Sequence, residues 1–240
     1  MIRAALAGLL ALLLAGQAAY GRDERVDTAL VLAVDVSGSV DAERYRLQME
    51  GIARTFEDEG VQASMLGGPH RAIFVTLVEW SDRPAVVVPW TLITGADDAK
   101  SFAARVRRAP RADDQFTCMA VALRLIVDKV LPFLPAPSDR VVIDVSGDGH
   151  DNCNPIVPVD AVRNELVAAG ATINGLPILE GDEALTLEAW YRAHVIGGPG
   201  AFLVPASGFA DFARAMRAKF LIEISGAPAL IPIRARETRQ

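Results

Sequence analysis

The sequence contains very few of the residues from which many catalytic sites are built. It has only two cysteines and three histidines. His70, His150 and His194 do not occur at metal-binding spacings such as HExxH. There is also no G-x-S-x-G motif and no phosphate-binding glycine loop with a lysine. These absences argue against zinc hydrolases, α/β-hydrolases and P-loop nucleotide hydrolases.

Lysine and long apolar runs are scarce as well. Only three of the 24 basic residues are lysines, which we interpret as composition bias without functional meaning. The net charge is −6, and a surface of this sign repels phosphate backbones, so we expect no nucleic-acid partner. Beyond residue 20 no apolar run approaches the ~20 residues that a membrane span needs. We therefore expect no membrane span once the N-terminal segment is removed.

The first 21 residues have the pattern of a secretory signal peptide. Arg3 precedes an apolar run at residues 4–16, and small residues follow it before the chain becomes polar. This pattern predicts export to the periplasm or the cell exterior. An uncleaved N-terminal membrane anchor is the alternative, although the run is shorter than the ~20 residues of a typical span.

The remaining chain alternates between apolar runs and helical periodicity, and its length suits one domain. Strands are predicted at Thr28–Asp35, Arg71–Trp80, Ala85–Trp90, Arg140–Val145, Ala171–Ile178 and Ala201–Val204. Helices are predicted at Ala42–Glu59, Asp97–Arg108, Met119–Val130, Val159–Ala169, Glu183–Ala193 and Phe209–Ile222.

The order of these elements predicts the fold class. Only SDRP separates the second and third strands, which requires an antiparallel hairpin. The other strands alternate with helices, which is typical of parallel sheets covered on both faces. We therefore predict an α/β fold with a doubly wound, mostly parallel sheet, one antiparallel hairpin strand and helices on both faces. Residues 223–240 are expected to form a C-terminal extension.

The stretch LAVDVSGSVD, at residues 32–41, ends a buried strand in one carboxylate and two hydroxyls. Asp35, Ser37 and Ser39 are oxygen donors of the type that Mg²⁺, Mn²⁺ or Ca²⁺ prefers. Ligands of such sheets bind beyond the carboxyl ends of the strands. The alternative is structural, because Ser39 or Asp41 would also suit the N-cap of the following helix.

Two later segments also carry oxygen donors next to predicted elements. Thr117 immediately precedes a predicted helix, and by itself it is best interpreted as the N-cap. Asp148 lies in DVSGDGHDN, where another buried strand runs into an acidic loop. By itself this loop could simply be a solvated acidic loop.

Together, the ordered pattern D-x-S-x-S, a distant Thr and a later Asp-Gly resembles the von Willebrand factor A (VWA) domain and its metal-ion-dependent adhesion site (MIDAS). The resemblance covers residues 27–222, and small exported bacterial proteins of unknown function with such domains are the most similar. It implies a non-enzymatic protein that holds Mg²⁺, or Mn²⁺ or Ca²⁺, and leaves one coordination position for an Asp or Glu of a protein partner. The implied metal ligands are Asp35, Ser37, Ser39, Thr117 and Asp148.

The resemblance has departures and further implications. Gln115 and Phe116 stand where many relatives have glycines, and Gly147 replaces the Thr or Ser often found before the Asp. The fold that the resemblance implies places Cys118 and Cys153 at the border of the metal site, and after export we expect them to form a disulfide. Two separate buried thiols are the alternative. Asp151 and Asn152 are expected at the rim of the site.

Two other functions stay open at this level. The segment 147–152 also resembles the acidic motif of haloacid-dehalogenase-type phosphatases, in which Asp35 would be the nucleophile and Lys129 the charge-balancing lysine. Ser37, however, stands where these Mg²⁺-dependent enzymes usually have their general acid, and a hydroxyl is a poor proton donor. The third possibility is a scaffold domain whose metal site is vestigial.

Overall fold

The computed structural model describes residues 25–112, 115–153 and 156–225. The predicted signal peptide and most of the predicted C-terminal extension lie outside these ranges. Within them, the first strand begins at Val26 and the last helix ends at Ser225.

A five-stranded sheet forms the centre of the fold. The strands are β1 (Val26–Asp35), β2 (Ile73–Trp80), β3 (Ala85–Ile93), β4 (Ser138–Gly147) and β5 (Ala171–Pro177). Their order in the sheet is β3-β2-β1-β4-β5, and only the β2–β3 pair is antiparallel. The predicted sheet class and the hairpin are therefore confirmed.

Burial explains which strands have continuous apolar sequences. Every residue of β2 is buried, and in β1 only Asp27 is partly accessible. A parallel strand with helices on both faces must be apolar on both sides, which accounts for TALVLAVD and IFVTLVEW. In contrast, β3 is an edge strand, and most of its residues are accessible.

The helices cover both faces of this sheet. The first face packs against α1 (Ala42–Glu57), α2 (Glu59–Met65), α3 (Ala96–Val106) and α7 (Phe212–Ser225). The second face packs against α4 (Met119–Leu125), α5 (Val159–Ala168) and α6 (Ala184–Trp190). Helices α4 and α6 each continue into a π-helical turn, at Ile126–Val130 and Tyr191–Val195.

Two predicted elements differ from the structure. The predicted helix Ala42–Glu59 is interrupted at Asp58, whose backbone is extended and whose carboxylate accepts a hydrogen bond from Val61 N at 3.0 Å, so a second helix starts there. The predicted strand at residues 201–204 makes only an isolated bridge between Leu203 and Gly175. Prolines at 199 and 205 flank this segment, and proline cannot donate to a strand ladder.

The strand order places the candidate site. From β1 the chain moves to β2 and β3 on one side of the sheet, and later returns to β4 on the other side. The carboxyl ends of β1 and β4 therefore meet where the direction of winding reverses, which is the usual ligand position in such sheets. Among the described residues, no helix has both the length and the apolar character needed to cross a membrane.

Candidate metal site

The loop after β1 holds the first three predicted ligands in a tight turn. Asp35 is fully buried, and its Oδ1 accepts a hydrogen bond from Ser37 N at 2.8 Å. The hydroxyls of Ser37 and Ser39 lie 3.3 Å apart. Asp41, rather than Ser39, is the N-cap of α1, because it accepts a hydrogen bond from Arg44 N at 2.8 Å. Both serine hydroxyls are therefore left for another role.

The loop after β4 meets the first loop directly. Ser39 Oγ donates a hydrogen bond to Asp148 Oδ1 at 2.7 Å, although 109 residues separate the two in the chain. Asp148 is 7% exposed, while Ser39 is exposed at the surface. The sequence-predicted residues Asp35, Ser37, Ser39 and Asp148 thus lie together at one edge of the sheet.

Thr117 joins the same edge from a third loop. It is 5% exposed, and a Cβ on Gly149, the neighbour of Asp148, would lie 3.5 Å from its Oγ1. Its backbone is held by Asn152, whose side chain accepts a hydrogen bond from Thr117 N at 2.9 Å and whose N–H donates to Thr117 O at 2.9 Å. Asn152 therefore positions the Thr117 loop.

Asp151, not Thr117, caps helix α4. Its Oδ2 accepts a hydrogen bond from Ala120 N at 2.9 Å, and the N-cap residue Cys118 makes no side-chain cap bond. The structural role considered for Thr117 is thus performed by a side chain from the β4 loop. Sequence reasoning could not assign this contact, because capping between distant segments leaves no local signal.

Cys118 and Cys153 form a disulfide, with their Cα atoms 5.1 Å apart. The predicted pairing is therefore present, and it joins the Thr117 loop to the Asp148 loop. Together with the Asn152 and Asp151 contacts, it gives these two loops three separate connections.

Gly147 explains one of the departures from the family pattern. A Cβ at this position would lie 2.7 Å from Asp35 Oδ2 and 3.0 Å from Trp80 Cζ2. Cβ atoms essentially never make non-bonded contacts shorter than 3.0 Å, so only glycine leaves room for the Asp35 carboxylate as it is placed here. Gly38 also allows a close approach in the first loop, because a Cβ there would lie 3.1 Å from Gln115 O.

The electrostatics of the site are unfavourable without a cation. Burial, together with the charge of Asp148, raises the pKa of Asp35 to about 7. Burial also raises the pKa of Asp148, although the hydrogen bond from Ser39 acts in the opposite direction. No lysine, arginine or histidine of the described ranges forms an ion pair with either carboxylate, and Asp35 Oδ2 accepts no hydrogen bond there.

These features fit a hard divalent cation. Two carboxylates and three hydroxyls form an all-oxygen donor set of the kind that Mg²⁺, Mn²⁺ and Ca²⁺ prefer. The buried Asp35 Oδ2 is a polar atom without a partner, and buried polar groups are normally satisfied. The charge of Arg44 lowers the pKa of Asp148, but Arg44 forms its ion pair with Glu180 at 2.8 Å. A bound cation would supply positive charge in direct contact with the site.

The same geometry does not fit the phosphatase alternative. Asp35 is fully buried, whereas a nucleophile must reach its substrate. Lys129 is exposed and lies on the π-helical turn after α4. It is about ten residues from the end of α4 that borders the site, which corresponds to roughly 15 Å along the helix axis. No described feature therefore brings Lys129 to Asp35.

Several positioning residues were not predicted. Asp82 accepts hydrogen bonds from Gln115 N at 3.0 Å and Phe116 N at 3.3 Å, and thereby holds the loop that lacks the usual glycines. Glu183 accepts a hydrogen bond from His150 N and fixes the loop after Asp148. Both residues lie in polar turns whose sequence is ordinary, so only the tertiary structure reveals their role.

A second group of side chains of metal-ligand type lies at the opposite end of the sheet, where the parallel strands begin. Single ligand atoms of Asp27, His70 and Asp139 are all within 4.8 Å of one another. The Asp27 carboxylate accepts hydrogen bonds from His70 N at 3.0 Å and Ala72 N at 3.2 Å, and Asp139 pairs with Arg25 at 3.1 Å. These contacts already satisfy much of the group, which acts as a clamp between the starts of β1, β2 and β4.

The fold is similar to those of VWA domains of known structure. Proximal thread matrix protein 1 from the mussel byssus matches with a TM-score of 0.62 at 14% identity, over 84% of this chain and 47% of that one. One structure of the mussel protein has a zinc-occupied MIDAS motif. The vWF domain of the type V pili tip protein Mfa5 from Porphyromonas gingivalis matches with a TM-score of 0.58 at 12% identity, over 84% and 96% of the chains.

The pilus adhesin SpaC from Lactobacillus rhamnosus GG also matches, with a TM-score of 0.57 at 12% identity, over 83% of this chain and 30% of SpaC. This chain therefore spans about half of the mussel protein and about a third of SpaC. Identities this low establish the fold alone.

Sequence comparison gives the family. No curated protein matches the chain. The family model for DUF1194, described as a protein of unknown function, matches residues 25–228, which is most of the chain. The chain belongs to the DUF1194 family, and its fold is that of a VWA domain.

Proposed function

We propose that this protein is exported and binds a protein partner through a divalent cation held at the strand-end site. Asp35, Ser37, Ser39, Thr117 and Asp148 would hold Mg²⁺, or Mn²⁺ or Ca²⁺, and an Asp or Glu of the partner would complete the coordination shell. Residues 1–21 would be the signal peptide, 27–222 the binding domain and 223–240 an extension.

The observation that carries this proposal is the direct contact between the two site loops. Ser39 donates to Asp148 at 2.7 Å, beside Ser37 and the buried Asp35, whose Oδ2 accepts no hydrogen bond from the described residues. Two buried carboxylates without a basic partner are costly for the folded chain. A divalent cation removes this cost and, because hydroxyls are neutral ligands, keeps positive charge for an acidic group of the partner.

The surface around the site supports a protein as the partner. Phe116, which is 55% exposed, directly precedes Thr117. Ile156, in the segment after β4, and Leu185, in the first turn of α6, are almost fully exposed. Exposed apolar side chains on these segments would be available for contact with a protein partner. Pilus and adhesin proteins among the structural relatives are consistent with this proposal, and with export.

The proposal is tested by calorimetric titration of the purified protein with Mg²⁺ and Mn²⁺, in the presence and absence of acetate as a minimal carboxylate. The wild type is expected to bind one cation saturably, and acetate is expected to tighten binding. Ser37→Ala should lose this binding, while Ser101→Ala, a matched change at an exposed position of α3, should retain it. Absence of saturable binding in the wild type, with acetate present, would refute the metal-dependent mechanism.

A further inference from the structure

A buried group of charged side chains lies inside the fold, away from the metal site. Lys219 on α7 is 0% exposed, and its Nζ lies 2.6 Å from Asp144 Oδ1 on β4. Glu223, one turn further along α7, also contacts Lys219 Nζ. The other two lysines of the chain, Lys100 and Lys129, are exposed.

This group contains one ammonium and two carboxylates with almost no contact with water. Asp144 is 2% exposed and Glu223 is 6% exposed. Asp144 Oδ2 and Glu223 Oε2 accept no hydrogen bond within the described residues. Removing such ions from water costs several kcal/mol each, and mutual attraction offsets this only when every polar atom is satisfied. A covalent bond between the ammonium and a carboxylate would remove two of these charges.

We propose that Lys219 and Asp144 form an intramolecular isopeptide bond. Three conditions for such a bond are present: an amine and a carboxyl group in contact, exclusion of water, and a second carboxyl group beside the amine. Glu223 supplies the third. Asn174, which pairs with Asp144 in the β4–β5 register, donates its Nδ2 to Glu223 Oε1 at 2.7 Å and holds Glu223 in position.

The chemistry requires no further reactant. The first step of the proposed reaction is transfer of a proton from Lys219 Nζ to the Asp144 carboxylate that it contacts, since a site without water favours a neutral pair over an ion pair. Burial and the charge of Glu223 raise the pKa of Asp144 to about 7, although the nearby ammonium opposes this effect. The result is a neutral amine, which is nucleophilic, beside a protonated carboxyl group, which is electrophilic.

The amine nitrogen then attacks Cγ of Asp144, and a C–N bond forms. Glu223 accepts a proton from the nitrogen and delivers it to the departing hydroxyl, so that the C–O bond breaks and one water molecule leaves. Groups held in contact in this way reach effective concentrations of roughly 10⁵–10⁸ M, which compensates for the low intrinsic reactivity of a carboxylic acid. The Phe202 ring, 5.6 Å from Nζ, helps to exclude the water that would reverse the reaction.

The bond would join the last helix to a central strand of the sheet. Helix α7 is the final element of the described fold, and terminal elements are usually the first to detach. A covalent connection to β4 would prevent this detachment independently of the metal site and of the disulfide.

Intact-mass spectrometry of the purified, reduced and denatured protein tests the bond directly. The wild type is expected to be lighter than its sequence by one water molecule. After tryptic digestion, peptide 141–163 should be joined to peptide 218–234 through Asp144 and Lys219. A mass equal to that of the sequence would refute the proposal and leave a buried ion pair. Loss of ammonia would indicate a bond between Lys219 and Asn174. Loss of water within peptide 218–234 alone would indicate a bond between Lys219 and Glu223. Either result would refute the assignment to Asp144.

Two variants and one control test the roles of the residues. Lys219→Met should have the full mass, as should Glu223→Gln, which preserves the side-chain shape but cannot transfer the proton. Lys100→Met, the matched removal of an exposed lysine, should still lose one water. Complete bond formation in Glu223→Gln would refute the role of Glu223. The wild-type mass decides the main question even if the buried variants do not fold.

Discussion

The protein contains two pairs of buried carboxylates, and they differ in how their charge is balanced. Asp144 and Glu223 contact the ammonium of Lys219 deep in the fold. Asp35 and Asp148 lie at the edge of the sheet beside hydroxyls, and no basic side chain of the described ranges pairs with them. The interior pair has a lysine that balances its charge, either as an ion or through the proposed bond, and the edge pair requires a cation from outside. The absence of an internal partner thus distinguishes a binding site from a structural ion cluster.

The largest expected effect concerns the interior pair. Lys219→Met leaves two buried carboxylates with neither an ion partner nor the proposed bond, and loss of a buried ion partner alone typically destabilises a protein by about 3–5 kcal/mol. The free energy of unfolding, measured in urea, should fall by at least this amount, and metal should not restore it. If the variant were as stable as the wild type, the interior carboxylates would not depend on Lys219.

Breaking the Cys118–Cys153 disulfide should have the next largest effect. It closes a loop with a sequence separation of 35, for which chain entropy predicts roughly 3–4 kcal/mol. Thermal unfolding of the double variant Cys118→Ser/Cys153→Ser should show this loss of stability. Calorimetric titration should show weaker Mg²⁺ binding, because the two site loops lose one of their connections. Unchanged Mg²⁺ affinity would mean that Asn152 and Asp151 hold the loops without help.

Asp35→Asn should separate metal binding from folding. Loss of the carboxylate should weaken Mg²⁺ binding at least ~100-fold. Even residues that only hydrogen-bond to metal ligands typically change metal affinity 10–100-fold when they are replaced. Without metal, however, the variant should be as stable as the wild type or more stable, because a buried, repelled charge is removed. Asp144→Asn is the matched change at the interior pair, and there the stability should fall. Equal losses of stability in the two variants would remove the distinction between the pairs.

A smaller effect is expected at the two glycines beside Asp148. Gly147→Ala places a Cβ 2.7 Å from Asp35 Oδ2, which should cost about 1–3 kcal/mol and weaken metal binding. Gly149→Ala is the matched control, because its closest contact would be an ordinary 3.4 Å to Glu183. Calorimetry and urea unfolding of both variants test the difference. Similar results for the two glycines would contradict the proposed packing of Asp35 against Gly147.

Much of the sheet and of the candidate site was predictable because the signals are local. Continuous apolar runs mark the buried parallel strands, and the oxygen donors follow directly after β1 and β4. The short SDRP spacing is sufficient to predict the antiparallel pair. The grouping of Asp35, Ser37, Ser39 and Asp148 follows from strand ends that meet at one edge.

Other features depend on contacts between distant segments and leave no such signal. Asp144 stands in an apolar strand and Lys219 in an ordinary helix, and only the packing of α7 on β4 brings them together. In the same way, Asp151 caps α4 from another loop. Asp58 ends one helix and starts the next, because its carboxylate competes for backbone N–H groups.

The most direct test of the central claim is the free energy of unfolding with and without Mg²⁺. If the edge carboxylates require an external cation, Mg²⁺ at about 100 times its dissociation constant should stabilise the wild type by ~2.7 kcal/mol. Ser37→Ala, measured beside it, should not respond to Mg²⁺. The claim would be contradicted if neither Mg²⁺ nor Mn²⁺ stabilised the wild type, or if both proteins were stabilised equally.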